Sequence, residues 1–198
     1  MTLRSDSDIW WPYAKLEKRT NSNKFAEIHI RQILRSKTKL LAWFVSRCKS
    51  NSKREEYVKE LQSICVGYIT EKFYRVNSYV VPIVLRGGDY HNTSTPDGMP
   101  QVPEQSFIAA DQFSTPEKLA EYLKYLDTHD TEYAKFFQWR KKWIIKHEHE
   151  GYNNPPLCSL CRMLHQSTAP TTTRNLTSWW FGEGRCQDDF ALQLLNGG

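Results

Sequence analysis

The sequence has no long apolar run. None of its 198 residues begins a stretch of about 18 consecutive apolar side chains, the length that a membrane-spanning helix requires. The N-terminal segment MTLRSDSDIWW is polar and lacks the apolar core of a signal peptide. Taken alone, these absences predict a chain without a membrane span that stays in the cytosol.

The sequence also lacks the short motifs of several common enzyme classes. It contains no GxSxG nucleophile elbow, no P-loop and no GxGxxG dinucleotide fingerprint. The stretch HEHE at 147–150 does not have the HExxH spacing of zinc proteases. Cys65 has no histidine placed to activate it as a nucleophile. These absences argue against serine hydrolase, P-loop and zincin chemistry.

Cysteine is scarce and its count is odd, so at least one of the five has no partner within the chain. The motif CSLC at 158–161 has metal-ligand spacing, but no second CxxC is present, and Cys186, His165 or HEHE would have to complete a zinc site. We therefore predict no metal.

The disulfide candidates are Cys48, Cys65, Cys158 and Cys161. The sequons at Asn92 and Asn175 are glycosylation candidates that would indicate a luminal protein.

What the sequence does contain is enough apolar surface for a core and an excess of basic charge. Hydrophobic residues make up 39% and aromatic residues 13%, and the net charge is +5. A basic chain suits an acidic partner such as nucleic acid, a membrane or a phosphate-bearing small molecule.

The first basic run overlaps a predicted amphipathic helix. The apolar residues of that helix are Ile28, Ile30, Ile33 and Leu34. The basic residues Arg31, Arg35, Lys37 and Lys39 fit a solvated face, and the alternative is a nucleic-acid patch with strongly salt-dependent affinity.

Hydrophobic periodicity predicts alternating strands and helices. The predicted elements are a buried strand at 39–46, helices at 52–62 and 69–78, strands at 79–85 and 106–113, and helices at 114–127 and 130–146. Ser114 or Thr115 is the expected N-cap of the first of the last two helices, and Phe137 and Ile144 are expected packing residues of the second. Only about six residues separate the helices 52–62 and 69–78, so either they form a hairpin or an αβ unit is missing.

Two charged residues, Glu71 and Lys72, begin the helix predicted at 69–78. Lys72 could hold a phosphate as a point charge and Glu71 could accept hydrogen bonds from sugar hydroxyls. The alternative is a pair of exposed residues in a first helical turn, where Glu is favoured anyway. Arg54 lies at the start of the helix 52–62, directly after a predicted strand, which is a position where anions bind.

Several segments together resemble one family. YITEKFYRVNSYVVPIVLRGG at 68–88 resembles the signature of the family 10 α-1,3-fucosyltransferases. The segments SDSDIWWPYA at 5–14, 37–61, 106–143 and CSLCRMLH at 158–165 resemble further blocks of the same family, and the likeness covers most of residues 4–186.

The resemblance implies an α/β fold of the GT-B type, with two Rossmann-like domains and GDP-fucose held by the C-terminal one. This chain is then mainly that donor-binding domain, in incomplete form. It implies that 1–38 is a remnant of the acceptor domain and linker, that 39–166 is the donor-binding domain, and that 167–198 is a C-terminal tail.

The resemblance places pyrophosphate-binding cations at Arg54 and Lys72, and it assigns Tyr68 and Glu71 to the same donor site.

The resemblance also implies an inverting transfer of fucose to an N-acetylglucosamine-containing glycan of a glycoprotein or glycolipid. No catalytic residue is expected in this chain, because the carboxylate base lies upstream of SDSDI. No tightly bound cofactor, no divalent cation for donor binding and no nucleic acid are expected. Family members are anchored in the Golgi membrane with a luminal enzyme, and this chain lacks the signal anchor.

The departures from the family pattern predict a shortened protein. Several dozen family residues are expected between the helix 52–62 and Tyr68, where this chain has almost none. Cys158 and Cys161 are expected to pair in the family with upstream cysteines that this chain lacks, so here they are free or mispaired, whereas Cys48 could pair with Cys65. The two functional hypotheses are therefore an active fucosyltransferase and a non-catalytic remnant or isoform of a fucosyltransferase that acts as a binding or regulatory fragment.

Overall fold

The computed structural model describes residues 7–20, 24–40, 71–85, 90, 101–147, 156–166, 175–179 and 190–196. These residues form a mixture of helices and strands, which is consistent with an α/β glycosyltransferase domain. In chain order the elements are β1 Ala14–Lys18, α1 Lys24–Ser36, α2 Glu71–Asn77, β2 Ile83–Val84, β3 Ile108–Ala109, α3 Pro116–Thr128, α4 Asp130–Lys135, β4 Trp143–His147, α5 Pro156–Gln166 and α6 Phe190–Leu195. Short 3-10 turns cover Ala110–Gln112 and Gln138–Lys141.

The centre of the described structure is a short parallel pair of strands. Ile83 of β2 lies opposite Ile108 of β3, and Val84 lies opposite Ala109. Successive side chains of a strand point to opposite faces. Val84 and Ala109 accordingly face one apolar cluster, which contains Phe73 of α2. Ile108 faces a second cluster with the leucines of α3. The parallel pair is therefore covered on both faces, as the α/β class requires.

Helix α3 follows the predicted pattern closely. Its N-cap is Thr115, whose Oγ1 accepts a hydrogen bond from the Lys118 backbone N–H at 3.4 Å, and Pro116 occupies the first turn. Leu119, Leu123 and Leu126 are buried against β2 and β3. The helix predicted at 114–127 is thus confirmed, with Thr115 rather than Ser114 as the cap.

The helix predicted at 130–146 is wrong beyond its first turns. Only Asp130–Lys135 is helical; a 3-10 turn follows, and Trp143–His147 forms β4. β4 pairs antiparallel with β1, with Ile145 opposite Leu16 and Ile144 opposite Glu17. Ile145, at 9% exposure, lies in the core, whereas the predicted packing residue Ile144 is only half-buried. The β-branched pair favours a strand, and the paired residues of the partner strand lie 125 or more positions earlier, beyond the reach of local periodicity.

The amphipathic helix near the N-terminus is confirmed as α1. Ile30 and Ile33 are buried against the fully buried Phe137, but Ile28 is 57% exposed and does not belong to the apolar face as predicted. The strand predicted at 79–85 is limited to Ile83–Val84. The carbonyl of Pro82, just before it, accepts a hydrogen bond from Ile108 N–H at 2.9 Å.

The remaining predicted elements fall largely outside the described residues. The strand at 39–46 is described only at its first two positions, which are not in a strand, and the helix at 52–62 is outside altogether. The C-terminal segment packs on the rest of the fold: Ala191 of α6 is fully buried, and Leu194 and Leu195 pack on the second apolar cluster. Trp179 is also buried, at 6% exposure.

Candidate functional site

Glu71 and Lys72 stand in the first turn of α2, as the sequence predicts. The helix carries an acidic residue in its first turn and Arg75 in its last turn. Both charges interact favourably with the helix dipole. Both Glu71 and Lys72 are half-buried rather than fully solvated. The two charges therefore sit at the edge of the body on a regular element.

Aromatic packing holds the inner face of α2. The ring centroid of Phe73 lies 5.2 Å from that of Tyr90 and 6.3 Å from that of Phe107, and Tyr90 and Phe107 are 5.3 Å apart. Tyr74, at 1% exposure, donates a hydrogen bond from its hydroxyl to the Gln101 carbonyl at 3.3 Å. Pairs of aromatic rings at these separations contribute more to stability than their buried area alone would give. Glu71 and Lys72 are consequently carried by a well-anchored helix.

Two of the four predicted donor-binding residues are outside the described residues. These are Arg54 and Tyr68, so their distances from Glu71 and Lys72 are not defined by the structure. The four-residue donor site stays a prediction, and the described part contributes its Glu71–Lys72 half.

A second polar cluster lies at the other end of α2, and sequence reasoning missed it. Arg140, only 7% exposed, donates from Nη2 to the carbonyl of Asn77 at 2.8 Å and to that of Ser78. Its Nη1 lies 3.0 Å from Nδ1 of His29 on α1. A guanidinium can only donate, so Nδ1 of His29 accepts and the imidazole is neutral in this arrangement.

The electrostatics of this cluster are those of crowded cations. Burial, and next the positive charge of Arg19, lowers the pKa of Arg140 to about 10. Burial, followed by Arg140 and Arg19, lowers the pKa of His29. Burial and then Arg140 lower the pKa of Lys37. Among the described residues, no carboxylate lies within ion-pair distance of the Arg140 guanidinium.

The basic run that begins on α1 and continues past its end divides in two. Arg31, Arg35 and Lys39 are exposed, in agreement with a solvated face. Lys37 is half-buried and donates from Nζ to the Tyr79 carbonyl at 2.5 Å. This fourth residue therefore belongs to the cluster at the end of α2 rather than to a basic surface.

The cysteine and sequon predictions are described only in part. Cys158 and Cys161 lie exposed on α5 as free thiols. Cys48 and Cys65 are outside the described residues, so their pairing stays a prediction. Asn175 is exposed and its Oδ1 accepts a hydrogen bond from Ser178 N–H at 3.0 Å, whereas Asn92 is outside the described residues.

Among the described residues, no three His, Cys, Asp or Glu side chains come together in a way that could hold a metal ion. No helix in the same part of the chain is long and apolar enough to cross a membrane.

Comparison with known proteins gives a single answer. The sequence profile described as glycosyltransferase family 10 (fucosyltransferase) C-term matches residues 62–179, a span that includes Glu71 and Lys72. Alpha-(1,3)-fucosyltransferase C of Drosophila melanogaster is 26% identical, and the match covers 97% of this chain and 56% of that protein. Glycoprotein 3-alpha-L-fucosyltransferase A of the same organism is 32% identical over 93% of this chain and 43% of its own length. The human 3-galactosyl-N-acetylglucosaminide 4-alpha-L-fucosyltransferase is 27% identical over 91% of this chain and 56% of its own length.

The alignments also show that this chain is shorter within the matched region. The match to the first Drosophila protein extends over 250 residues, although the whole chain has only 198, so that relative carries internal residues that this chain lacks. This agrees with the expected internal deletion; its predicted place, between the helix 52–62 and Tyr68, lies outside the described residues. The chain spans about half the length of the curated relatives it matches.

Proposed function

Because this chain belongs to glycosyltransferase family 10, the fucosyltransferases, we propose that it binds GDP-fucose and transfers fucose to the 3-hydroxyl of N-acetylglucosamine in a glycoprotein or glycolipid glycan. The observation that carries this proposal is the match of the family profile over residues 62–179. The printed names of the two Drosophila relatives, which specify transfer to a 3-position, support the linkage.

The proposed donor site consists of Arg54, Tyr68, Glu71 and Lys72. Arg54 and Lys72 would pair with the diphosphate, and their charge would stabilise GDP as it leaves with the negative charge of the broken bond. Tyr68 and Glu71 would contact the nucleoside or the fucose hydroxyls. In this proposal the two side-chain cations neutralise the charge of the diphosphate, as a metal ion does in other nucleotide-sugar enzymes. Donor binding is therefore proposed to need no divalent cation.

The transfer is proposed to invert the configuration at the fucose carbon. An acceptor hydroxyl attacks that carbon from the face opposite the diphosphate while a carboxylate base takes its proton. No residue of this chain is assigned that role, because the family resemblance places the base before the SDSDI element. The proposed setting is the luminal side of the Golgi membrane, where Asn92 and Asn175 would carry glycans.

A second candidate function is a non-catalytic fragment that binds GDP-fucose without transferring it. The observation that favours it is the alignment length of 250 residues against a chain of 198, which shows that internal residues present in a relative are missing here.

The experiment that tests the proposal is calorimetric titration of the chain with GDP, followed by an assay of fucose transfer to an N-acetylglucosamine glycan. Micromolar binding is expected, and Lys72→Ala should weaken it by about 10–100-fold, because a hydrogen bond to a charged group contributes about 1.5–3 kcal/mol. The matched control is Lys118→Ala: Lys118 is 61% exposed and its ion pair with Glu121 lies on the surface of α3. Addition of a chelator should leave the wild-type affinity unchanged.

The outcomes separate the two candidates. Binding with transfer supports the enzyme, and binding without transfer supports the non-catalytic fragment. If the folded chain takes up no GDP, or if Lys72→Ala binds GDP as tightly as the Lys118→Ala control, the proposed donor site is wrong.

A further inference from the structure

The C-terminal end of α2 is closed by two cations from distant parts of the chain. Three consecutive carbonyls accept hydrogen bonds from side chains: that of Asn77, the last residue of α2, and those of Ser78 and Tyr79, which follow it. Arg140 donates to the first two, with 2.8 Å to Asn77, and Lys37 donates to the third at 2.5 Å. The last carbonyls of a helix have no partner within it, and positive charge near them is favourable.

Arg140 is fixed in place by its surroundings. Its guanidinium carbon lies 5.5 Å from the ring centroid of Phe137 and 5.0 Å from that of Trp139. Its own carbonyl accepts a hydrogen bond from Nε of Arg19 at 2.9 Å, and His29 accepts from its Nη1. A buried charge is costly unless it is hydrogen-bonded. Within the described ranges the two Nη atoms donate to backbone carbonyls and a histidine, not to a carboxylate, whereas the buried Nε has no hydrogen-bond partner.

The helix that Arg140 holds is the one that carries Glu71 and Lys72. α2 has seven residues, so at about 1.5 Å per residue its two ends are only about 10 Å apart. An isolated helix of this length is not stable in water, and it depends on contacts with the rest of the fold. Phe73 and Tyr74 fix its inner face. The carbonyls bound by Arg140 fix its far end, and with it the rotation and axial position of the first turn.

We infer that Arg140 is a positioning residue for the donor site: its two hydrogen bonds to the end of α2, supported by His29, set where Glu71 and Lys72 meet the diphosphate-sugar. This inference rests on the proposed function for the identity of the ligand. It predicts that loss of the contact changes nucleotide affinity as well as the order of α2. Binding groups tolerate little displacement: a shift of about 1 Å can lower the catalytic rate of a site by about 10²-fold.

The test compares Arg140→Gln and Arg140→Lys with Arg162→Gln, a control at an exposed arginine on α5. Hydrogen exchange is followed at the amides of 73–80 and of 118–128, and GDP is titrated well below the melting temperature of each variant. Arg140→Gln is expected to raise exchange at 73–80 by about tenfold or more while leaving 118–128 near wild type, and to weaken GDP binding by about tenfold or more. Arg140→Lys should fall between, because an ammonium cannot reproduce the planar fork.

A purely structural arginine would give a different result. Exchange would then rise in α3 as much as in α2, and GDP affinity would be unchanged in the folded fraction; that pattern, or wild-type exchange at 73–80, overturns the inference. If Arg140→Gln does not fold, His29→Ala replaces it: it removes the acceptor of Nη1 that holds the guanidinium, and so should loosen the two carbonyl contacts. A selective rise at 73–80, smaller than that expected for Arg140→Gln, is then predicted, and wild-type exchange there overturns the inference. The exchange measurement uses no nucleotide. If wild type fails to bind GDP, the proposed function fails by itself, and a selective rise at 73–80 still supports the hold of Arg140 on α2.

Discussion

The Nη2 atom of Arg140 donates a hydrogen bond to the carbonyl oxygen of Asn77, 2.8 Å away, although the two residues lie 63 positions apart in the sequence. The contact joins the last residue of α2 to the 3-10 turn that precedes β4. Directly after that turn, β4 pairs with β1. The N-terminal strand β1, the segment before β4 and the end of α2 are therefore connected. The helix held in this way is the one that carries Glu71 and Lys72.

The pairing of β1 with β4 predicts different roles for two adjacent isoleucines. Ile145→Ala should lower the free energy of unfolding by about 2–5 kcal/mol, because Ile145 lies in the core and its removal leaves a cavity. Ile144→Ala should cost clearly less, because Ile144 is half-buried on the other face of the strand. Denaturant unfolding of both variants measures the difference. Equal losses, or a larger loss for Ile144→Ala, would contradict the strand.

These same residues show why the sequence misled at this point. Tyr133, Phe136, Phe137 and Ile144 fit a helical spacing, and that spacing continues smoothly from the true helix α4. The strand is stabilised by pairing with Ala14–Lys18, a segment of mixed charge and apolar character in which no strand was predicted. Non-local pairing of this kind leaves no mark in a local window. The predicted apolar run at 79–85 was shortened for a related reason, since only Ile83 and Val84 meet a partner in β3.

The candidate site was predictable only where it depends on local order. Glu71 and Lys72 were expected at a helix start, and the structure places them there, because the helical spacing after them is regular. Arg140 and His29 were not expected to act together. Their contacts go to backbone carbonyls and to a histidine in a different segment, and hydrogen bonds to backbone carry no pattern of residue types. The one local signal was that Arg140 stands among aromatic residues, in FFQWRKKW, where an arginine is more easily buried.

The N-cap of α3 predicts a second pair of contrasting variants. Thr115→Ala should lower the free energy of unfolding by about 1 kcal/mol, because its Oγ1 accepts the hydrogen bond of the Lys118 amide. Thr115→Ser keeps that acceptor and should be close to wild type. Ser114→Ala is the control, since Ser114 precedes the cap and is exposed; its change should stay within about 0.5 kcal/mol. A larger loss for Ser114→Ala than for Thr115→Ala in thermal or denaturant unfolding would move the cap to Ser114.

The environment of His29 makes stability depend on pH. Burial, Arg140 and Arg19 lower its pKa below the ordinary 6.5. Protonation would put a positive charge 3.0 Å from the Arg140 Nη1 and remove the lone pair that accepts its hydrogen bond. The Tyr79 ring, whose centroid lies 6.4 Å away, meets the imidazole edge-on and offers no charge to offset it. The unfolded chain therefore takes up the proton at a higher pH than the folded chain does.

The sign of the effect follows from that order of protonation. Stability contributed by the neutral imidazole is complete above about pH 6.5 and is lost as the pH falls through the lowered pKa of the folded state. His29→Gln retains a neutral acceptor for Arg140 and should remove this part of the loss. His165→Gln, at an exposed position on α5, should leave it in place. Unfolding free energies measured between about pH 8 and pH 5 decide the matter: a decline of the same size in His29→Gln and in wild type would mean that another group is responsible, and that His29 does not share the Arg140 contact in solution.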